Sequence, residues 1–381
     1  MHIAYICDEY PPSPHGGIGS VTRELAEGLA AVGHQILVIG VSVKEHVAAK
    51  VEENLRGVRV VRLPRATNWF PWRFRPWWER IRLRSSLRKA HRESPFDLVE
   101  CPDYDGWLPW GSLRGIPLVV RIHGTNLLYD TELCRPGQFA EHARERATLK
   151  RAKHLIAVSN YAGQRTLELL GTPERQFVVL HNAVDTTFFK PGAASDPSLI
   201  IFVNSLTKRK GLVELFAALP FVFSKYTDSH IILIGADASG ENLAQNLCEQ
   251  LSTEHRKRVT FAGHLSQEAV LIHLQRAAVA VYPSLMETFG VAPVEAMSCA
   301  RPVVFSKLGP GREVIEDGVN GILCDPRDPK NIADCIIRAL ANPAAAEELG
   351  KAAREHVLKQ FDKRDWIQRN IDFYNRCCAS N

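Results

Sequence analysis

The feature that most constrains the fold is an alternation that runs twice along the chain. Short apolar runs of strand length are separated by helical-period stretches, first at residues 3–7, 20–32 and 36–40 and again at 199–203, 212–224 and 231–235. Strand, helix and strand within so few residues require a right-handed parallel crossover, so each set predicts an open α/β sheet. Between the sets lies Lys190-Pro191-Gly192-Ala193-Ala194-Ser195-Asp196-Pro197, which has the composition of a linker. A chain of 381 residues has room for two domains with substantial cores. Open sheets of this kind hold ligands at the carboxyl ends of their strands, so the loops that follow the apolar runs are where chemistry is expected.

Several of those loops carry suitable residues. After the first run comes His15-Gly16-Gly17-Ile18-Gly19, whose glycines let backbone N–H groups approach a phosphate or a sugar. It is not Gly-x-Gly-x-x-Gly, so the dinucleotide fingerprint is absent and a nicotinamide dehydrogenase is disfavoured. The apolar run 117–122 delivers His123, followed by Gly124, to the ligand edge, and Asp103 and Tyr104 lie on the polar loop after the run 96–100; residues 124–138 then read as a loop and 139–152 as an exposed helix rich in charge. In the second half, the run ending at Tyr282 leads into Glu287-Thr288-Phe289-Gly290-Val291-Ala292-Pro293-Val294-Glu295-Ala296-Met297. A helix starting near Val291 puts Glu287 on the loop and Glu295 about one turn inside the helix. Its unpaired N–H groups and positive dipole end suit a diphosphate, with Gly290 permitting close backbone approach, Glu287 gripping sugar hydroxyls and Glu295 a ribose.

The Glu-x7-Glu spacing followed by Ala-Met resembles the signature of the GT4-type nucleotide-sugar glycosyltransferases. The resemblance implies the GT-B fold, α/β with two Rossmann-like doubly wound parallel-sheet domains facing across a cleft. It extends over nearly the whole chain: His181-Asn182-Ala183-Val184-Asp185 resembles the family's Asn-Gly-Val-Asp, with Ala183 in place of Gly, and Asn204-Ser205-Leu206-Thr207-Lys208-Arg209-Lys210-Gly211 resembles Gly-Arg-Leu-x-x-x-Lys-Gly. By resemblance His123 flanks the donor sugar and Lys210 faces the diphosphate. Donor contacts are carried to Gly16, Gly17, Ser205, Phe289, Gly290, Val291 and Glu295, with His123, Glu287 and Lys210 as catalytic residues. Ser205 stands where the family has arginine, which removes a positive charge: either Lys208 or Arg209 substitutes for it, or helix N–H groups carry more of the load, or the donor site is weakened or altered. The resemblance also implies retention of anomeric configuration and no metal, the nucleotide sugar being a co-substrate and no other cofactor being expected. Domains are expected at 1–190 and 191–361, with a last helix, 362–378, packing back on the first.

Composition narrows the setting. At 45% hydrophobic and 23% charged residues the chain reads as globular. Its start reaches Asp8 after one short apolar run, so neither a signal peptide nor a membrane span is expected, and a cytoplasmic location is. The nine cysteines are scattered without zinc-ligand spacing and read as reduced thiols. The Asp103-Tyr104-Asp105 triplet has the spelling of a metal motif but not its setting.

Nine basic residues against two acids crowd residues 64–93, interleaved with Trp69, Phe70, Trp72, Phe74, Trp77 and Trp78. Aromatics among arginines suit a lipid headgroup region or an anionic acceptor, and no nucleic-acid motif accompanies them. Trp72, Arg73, Trp77 and Trp78 are therefore candidates for an acceptor or membrane surface, as are Asp103 and Tyr104 for the acceptor, and peripheral contact with the inner membrane face is expected. The acceptor class stays open among glycan, lipid-linked and small-molecule substrates. Two other readings use the same fold: a nucleotide-sugar epimerase or phosphorylase, and a donor- or glycan-binding protein with impaired catalysis, for which Ser205 is the motive.

Overall fold

The computed structural model describes residues 1–42, 49–66, 74–192, 195–237, 240 and 242–379. The chain forms two compact units, one made of Met1–Leu180 with Arg364–Asn381 and the other of His181–Lys363.

The first unit is built on eight strands: β1 (His2–Ile6), β2 (Gln35–Val41), β3 (Val51–Leu55), β4 (Val58–Leu63), β5 (Leu98–Pro102), β6 (Leu118–Ile122), β7 (His154–Ala157) and β8 (Val178–Val179). Their order is β3-β4-β2-β1-β5-β6-β7-β8, parallel except for the β3–β4 edge hairpin. That hairpin lies in a stretch for which the alternation predicts nothing. β1 and β5 through β7 are buried almost throughout, which explains why they read as continuous apolar runs. Chain order reverses between β1 and β5, so the carboxyl ends of these two strands flank the switch point where doubly wound sheets bind ligands.

Two helical expectations are corrected here. Residues 124–138 are not a plain loop but contain the helix Asn126–Glu132, because Thr125 caps it by accepting from Leu128 N at 3.0 Å. The helix Phe139–Arg151, expected to be exposed for its charge, buries Arg144, Glu145, Thr148 and Leu149. Glu145 is drawn in because its carboxylate accepts from the N–H groups of Asn126 at 2.8 Å, Leu127 at 3.3 Å and Asp105 at 3.2 Å. The last helix, Lys363–Ala379, packs on this sheet through a buried polar network. Arg121 on β6 pairs with Glu100 on β5 at 2.7 Å and donates to Asn370 Oδ1 at 2.6 Å, while Tyr374 donates to Glu100 at 2.6 Å and accepts from Tyr5 at 3.0 Å.

The second unit has six parallel strands, β9 (Leu199–Val203), β10 (His230–Ile234), β11 (Val259–Gly263), β12 (Val279–Tyr282), β13 (Val303–Ser306) and β14 (Ile322–Cys324), in the order β11-β10-β9-β12-β13-β14. This is the order of a nucleotide-binding doubly wound sheet, with its reversal between β9 and β12. The helices Leu212–Lys225 and Pro329–Ala341 cover it, burying Phe202, Leu215, Leu219, Val281, Ile332 and Ile336 in one core. No described helix is long and apolar enough to cross a membrane.

Candidate active site

The carboxyl ends of β9 and β12 place Lys210 beside Glu287. The chain leaves β9, makes a tight turn at Lys208–Lys210 and enters the helix Leu212–Lys225 through Gly211. Gly211 is left-handed at φ 74°, and a Cβ there would stand 1.8 Å from the Pro283 carbonyl oxygen, so only glycine lets this loop lie on the one after β12. The two loops are tied by Leu285 N donating to Arg209 O at 2.9 Å. Lys210 Nζ donates to Glu287 Oε1, which also accepts from Ser284 Oγ at 3.1 Å. Both members of the ion pair are buried. Burial pushes the Glu287 carboxyl up, but the charges of Lys210 and Arg209 outweigh it and hold the group below the usual carboxylate range. Burial also lowers the Lys210 ammonium, an effect that Glu287 offsets only in part. Among the described residues both bonds to Glu287 use Oε1, which leaves Oε2 for a ligand.

The next element supplies amides. Gly290, left-handed at φ 94°, precedes the helix Val291–Ser298, and a Cβ on it would meet the Phe305 ring at 2.9 Å. Gly290 has no side chain to cap this helix, and among the described residues the N–H groups of Val291 and Ala292 have no partner, while Pro293 has none to satisfy. The Phe289 ring is buried against His181 and Phe361, at 5.7 and 5.5 Å between centroids, so any ligand contact from Phe289 is by its backbone. Glu295 lies half-buried in the first turns, close enough for its charge to raise the Tyr282 hydroxyl and Cys299 thiol, after burial has done most of that work.

Ser205 is partly exposed and its N–H is held by Asn204 Oδ1 at 3.0 Å. Lys208 is exposed, whereas Arg209 is half-buried, reaches the Met286 carbonyl at 3.4 Å and lowers the pKa of Glu287. Of the two cations proposed to replace the missing arginine, Arg209 is the one whose charge is felt at the ion pair. Ser284 is a member that sequence reading passed over; its position three residues before Glu287 was the available signal. A cavity of about 440 Å³ in this unit lies at the opposite, amino-terminal edge of the sheet, lined by Pro197, Ala278, Arg301, Pro302 and Glu347, away from the pair.

In the first unit, Gly16 is the N-cap and Gly17 the first residue of the helix Gly17–Ala31. Both are exposed; Glu9 Oε1 accepts from Gly19 N at 2.9 Å, and a Cβ on Gly17 would point into open space. His123 follows β6. Burial, aided by the Arg121 charge, lowers its imidazole to about 3, so it is neutral throughout the physiological range. Neither ring nitrogen has a hydrogen-bond partner among the described residues, which leaves both for a ligand hydroxyl.

Asp103 requires a correction. Expected to face an acceptor, it is fully buried, and its two oxygens accept from His123 N at 2.9 Å and Gly124 N at 3.1 Å. It shapes the histidine loop from beneath. Tyr104 and Asp105 sit half-buried in the adjoining turn, where Asp105 Oδ1 accepts from Asn126 at 3.1 Å, so the Asp-x-Asp carboxylates are each committed internally. Trp77 and Trp78 are exposed, whereas Trp72 and Arg73 lie outside the described residues.

Burial pushes Asp103 up to about 7, against the backbone bonds that pull it down. A carboxyl raised above its unfolded value favours the fold while protonated and loses that contribution as pH rises through the folded pKa. Wild-type stability should therefore fall by on the order of 2 kcal/mol between pH 5 and 8 on account of this group, and Asp103→Asn should remove that part of the slope. Urea unfolding at several pH values checks it; parallel pH curves for the two proteins would refute it.

Residues 15–188 match the family model described as Glycosyltransferase Family 4, and residues 183–356 match Glycosyl transferases group 1. The chain belongs to the GT4-type glycosyltransferases. Relatives of this family include an uncharacterised glycosyltransferase of Methanocaldococcus jannaschii, 26% identical with 98% of each chain covered. A glycogen synthase of Mycobacterium tuberculosis is 28% identical over 95% of this chain and 91% of its own. Among solved structures, sucrose-phosphate synthase from Thermosynechococcus elongatus matches with a TM-score of 0.83 at 22% identity, covering 100% of this chain and 99% of that one. Anabaena HepE in complex with UDP and glucose matches at a TM-score of 0.75 and 19% identity, covering 98% and 99%. The two parallel-sheet units of this glycosyltransferase are thus those of the GT-B fold.

Proposed function

We propose that this GT4-type enzyme transfers a sugar from a nucleoside-diphosphate sugar to an acceptor hydroxyl, with retention of anomeric configuration and without a metal. The observation that carries the reading is the buried Lys210–Glu287 pair at the sheet's switch point, next to an uncapped helix N-terminus. Lys210, supported by Arg209, neutralises the departing diphosphate, whose oxygens also meet the amides of Val291 and Ala292. Glu287 holds Lys210 with one oxygen and a sugar hydroxyl with the other. Glu295 accepts from the ribose. In the first unit, His123 and the amides at Gly16 and Gly17 bind sugar hydroxyls, and that unit takes the acceptor. The related HepE structure was solved with UDP and glucose, which supports a nucleotide-sugar donor here.

Arg209 counts against the reading of a catalytically impaired binder, since a second cation beside Glu287 compensates for Ser205. The acceptor is a glycan, a small molecule or a lipid-linked saccharide, and the last of these would bring the enzyme to a membrane surface.

Incubation with UDP-, GDP- and ADP-sugars, following nucleotide release with and without acceptor extracts, tests transfer against epimerisation. Activity abolished by EDTA, or an inverted product anomer by NMR, would overturn the metal and stereochemical parts. Glu295→Ala should weaken donor binding by about 2 kcal/mol, the worth of a hydrogen bond to a charged group, with little change in turnover at saturation. Titration of the preferred donor into both proteins decides it, and equal affinities would remove Glu295 from the site.

A further inference from the structure

The helix Arg75–Glu93 in the first unit is amphipathic in two senses. With Pro76 in its first turn, it buries Glu79, Arg80, Leu83, Leu87 and Ala90 on one face. Arg80 is locked there, donating to Gly106 O at 2.8 Å and lying 4.6 Å over the Trp107 ring. Arg82 and Arg84 are spent on the Pro64 and Ser112 carbonyls at 3.0 and 3.1 Å. The opposite face is sorted along its length. At 3.6 residues per turn, Phe74, Trp77, Trp78 and Ile81 share one side with Ser85, Arg88, Lys89 and Arg92.

The first part of that stripe is apolar and exposed: Phe74 by 62%, Trp77 by 39%, Trp78 by 42% and Ile81 by 49%. Trp110, 41% exposed, widens it by packing on Trp77 with ring centroids 5.4 Å apart. The second part is cationic. Arg88, Lys89 and Arg92 are exposed and have no hydrogen-bond or ion-pair partner among the described residues, and the one exposed acid of the helix, Glu93, is engaged by Arg59 at 3.4 Å.

Contiguous aromatic surface of this kind is unfavourable in water and marks an interaction site. Tryptophan, with an apolar body and a polar N–H, suits the boundary between headgroups and acyl chains. Cations two to three turns away on the same side suit the phosphates of an anionic leaflet. We propose that this stripe docks the protein on anionic lipid surfaces, the aromatic end entering the headgroup boundary and the basic end lying on the lipid phosphates. A groove for a partner protein would need an apolar floor along its whole length, whereas this stripe is divided into an aromatic and a cationic half. The inference stands apart from the transfer reading, because none of its residues is assigned to donor binding or turnover.

The test is flotation of the full chain with phosphatidylglycerol-containing and pure phosphatidylcholine vesicles, with tryptophan emission recorded in parallel. Wild type should float with the anionic vesicles at low salt, shift its emission to the blue, be released by high salt and stay unbound with the neutral ones. The triple variant Arg88→Glu/Lys89→Glu/Arg92→Glu should lose about a hundredfold in partitioning, as expected for three cations at an anionic surface. Trp77→Ser/Trp78→Ser/Ile81→Ser should lose at least about tenfold and abolish the blue shift. Both variants alter exposed positions and should keep the wild-type Tm, and the Arg88/Lys89/Arg92 variant should also keep the wild-type nucleotide release with a water-soluble acceptor. Failure of wild type to float, equal binding to neutral vesicles, or wild-type flotation by either variant would overturn the proposal. Failure of transfer itself would show instead as no nucleotide release by any of the three proteins.

Discussion

Lys210→Met should lower kcat/KM by about 10²–10³-fold, the range found when one preorganised group facing developing negative charge is removed. Since Lys210 is also half of a buried ion pair, activity alone would not separate a role in the reaction from a role in folding. The pair itself provides the separation. Deleting only the lysine leaves the Glu287 carboxylate buried without its cation, which costs about 3–5 kcal/mol of stability. Replacing both, as in Lys210→Met/Glu287→Leu, removes the stranded charge and should recover most of that loss while activity stays as low or falls further. The pH dependence should also change sign. In wild type Glu287 is held below its ordinary range, so its contribution is present above the unfolded pKa and lost as pH falls through the folded one. In Lys210→Met burial is opposed only by the Arg209 charge and the Ser284 hydroxyl, the carboxyl rises, and stability instead declines as pH increases. Urea unfolding between pH 4 and 8 and nucleotide release measure the two effects independently. A double variant that is stable and active would show that Lys210 only holds the loop.

How much of this was legible beforehand depended on what kind of information each residue carries. Loops after strands are fixed by periodicity alone, so Lys210, Glu287 and the start of the helix at Val291 fall where the alternation and the Glu-x7-Glu spacing put them. Their pairing is a property of strand order, since β9 and β12 are neighbours in space but eighty residues apart in the chain, and no local pattern records that. The same limit hid Asp103 and Glu145. Each looks like a surface acid in sequence, and each is buried because several backbone N–H groups at the ends of β5 and β6 and of the helix Asn126–Glu132 converge on it. The β3–β4 edge hairpin escaped for the opposite reason: Val51–Leu55 alternates charge and side chains too weakly for a strand to be read. The exposed stripe on the helix Arg75–Glu93 was half visible, as a mixture of arginine and tryptophan. Its sorting into an aromatic and a basic half depends on where the helix begins, and Pro76 sets that point.

An equally large effect on folding is expected from Arg121→Met. Among the described residues this is the biggest fully buried side chain, and it joins three segments that the sequence separates widely: β5 through Glu100, β6 on which it stands, and the last helix through Asn370 and Tyr374. Burial alone would pull its pKa down, yet the facing Glu100 carboxylate raises it above the ordinary arginine value, so Arg121 keeps its charge in the fold. Methionine fills similar space but leaves Glu100 with the Tyr374 hydroxyl as its remaining partner. The loss should be about 3–5 kcal/mol, the cost of stranding one member of a buried pair. For a unit of this size that is a fall of roughly 10 °C in Tm. Tyr374→Phe removes one neutral donor and should cost only about 1–2 kcal/mol. The damage should be local first. Hydrogen exchange should quicken in the helix Lys363–Ala379, whose hold on the first sheet runs through this network, before it changes in the strands of the second unit. The double variant Arg121→Met/Glu100→Gln should recover part of the loss, since the glutamine amide still accepts from Tyr374 without a charge to bury. Unchanged exchange in the last helix of Arg121→Met, with Tm within about 2 °C of wild type, would mean that apolar packing of Trp366 and Phe373 holds that helix in place without the ion pair.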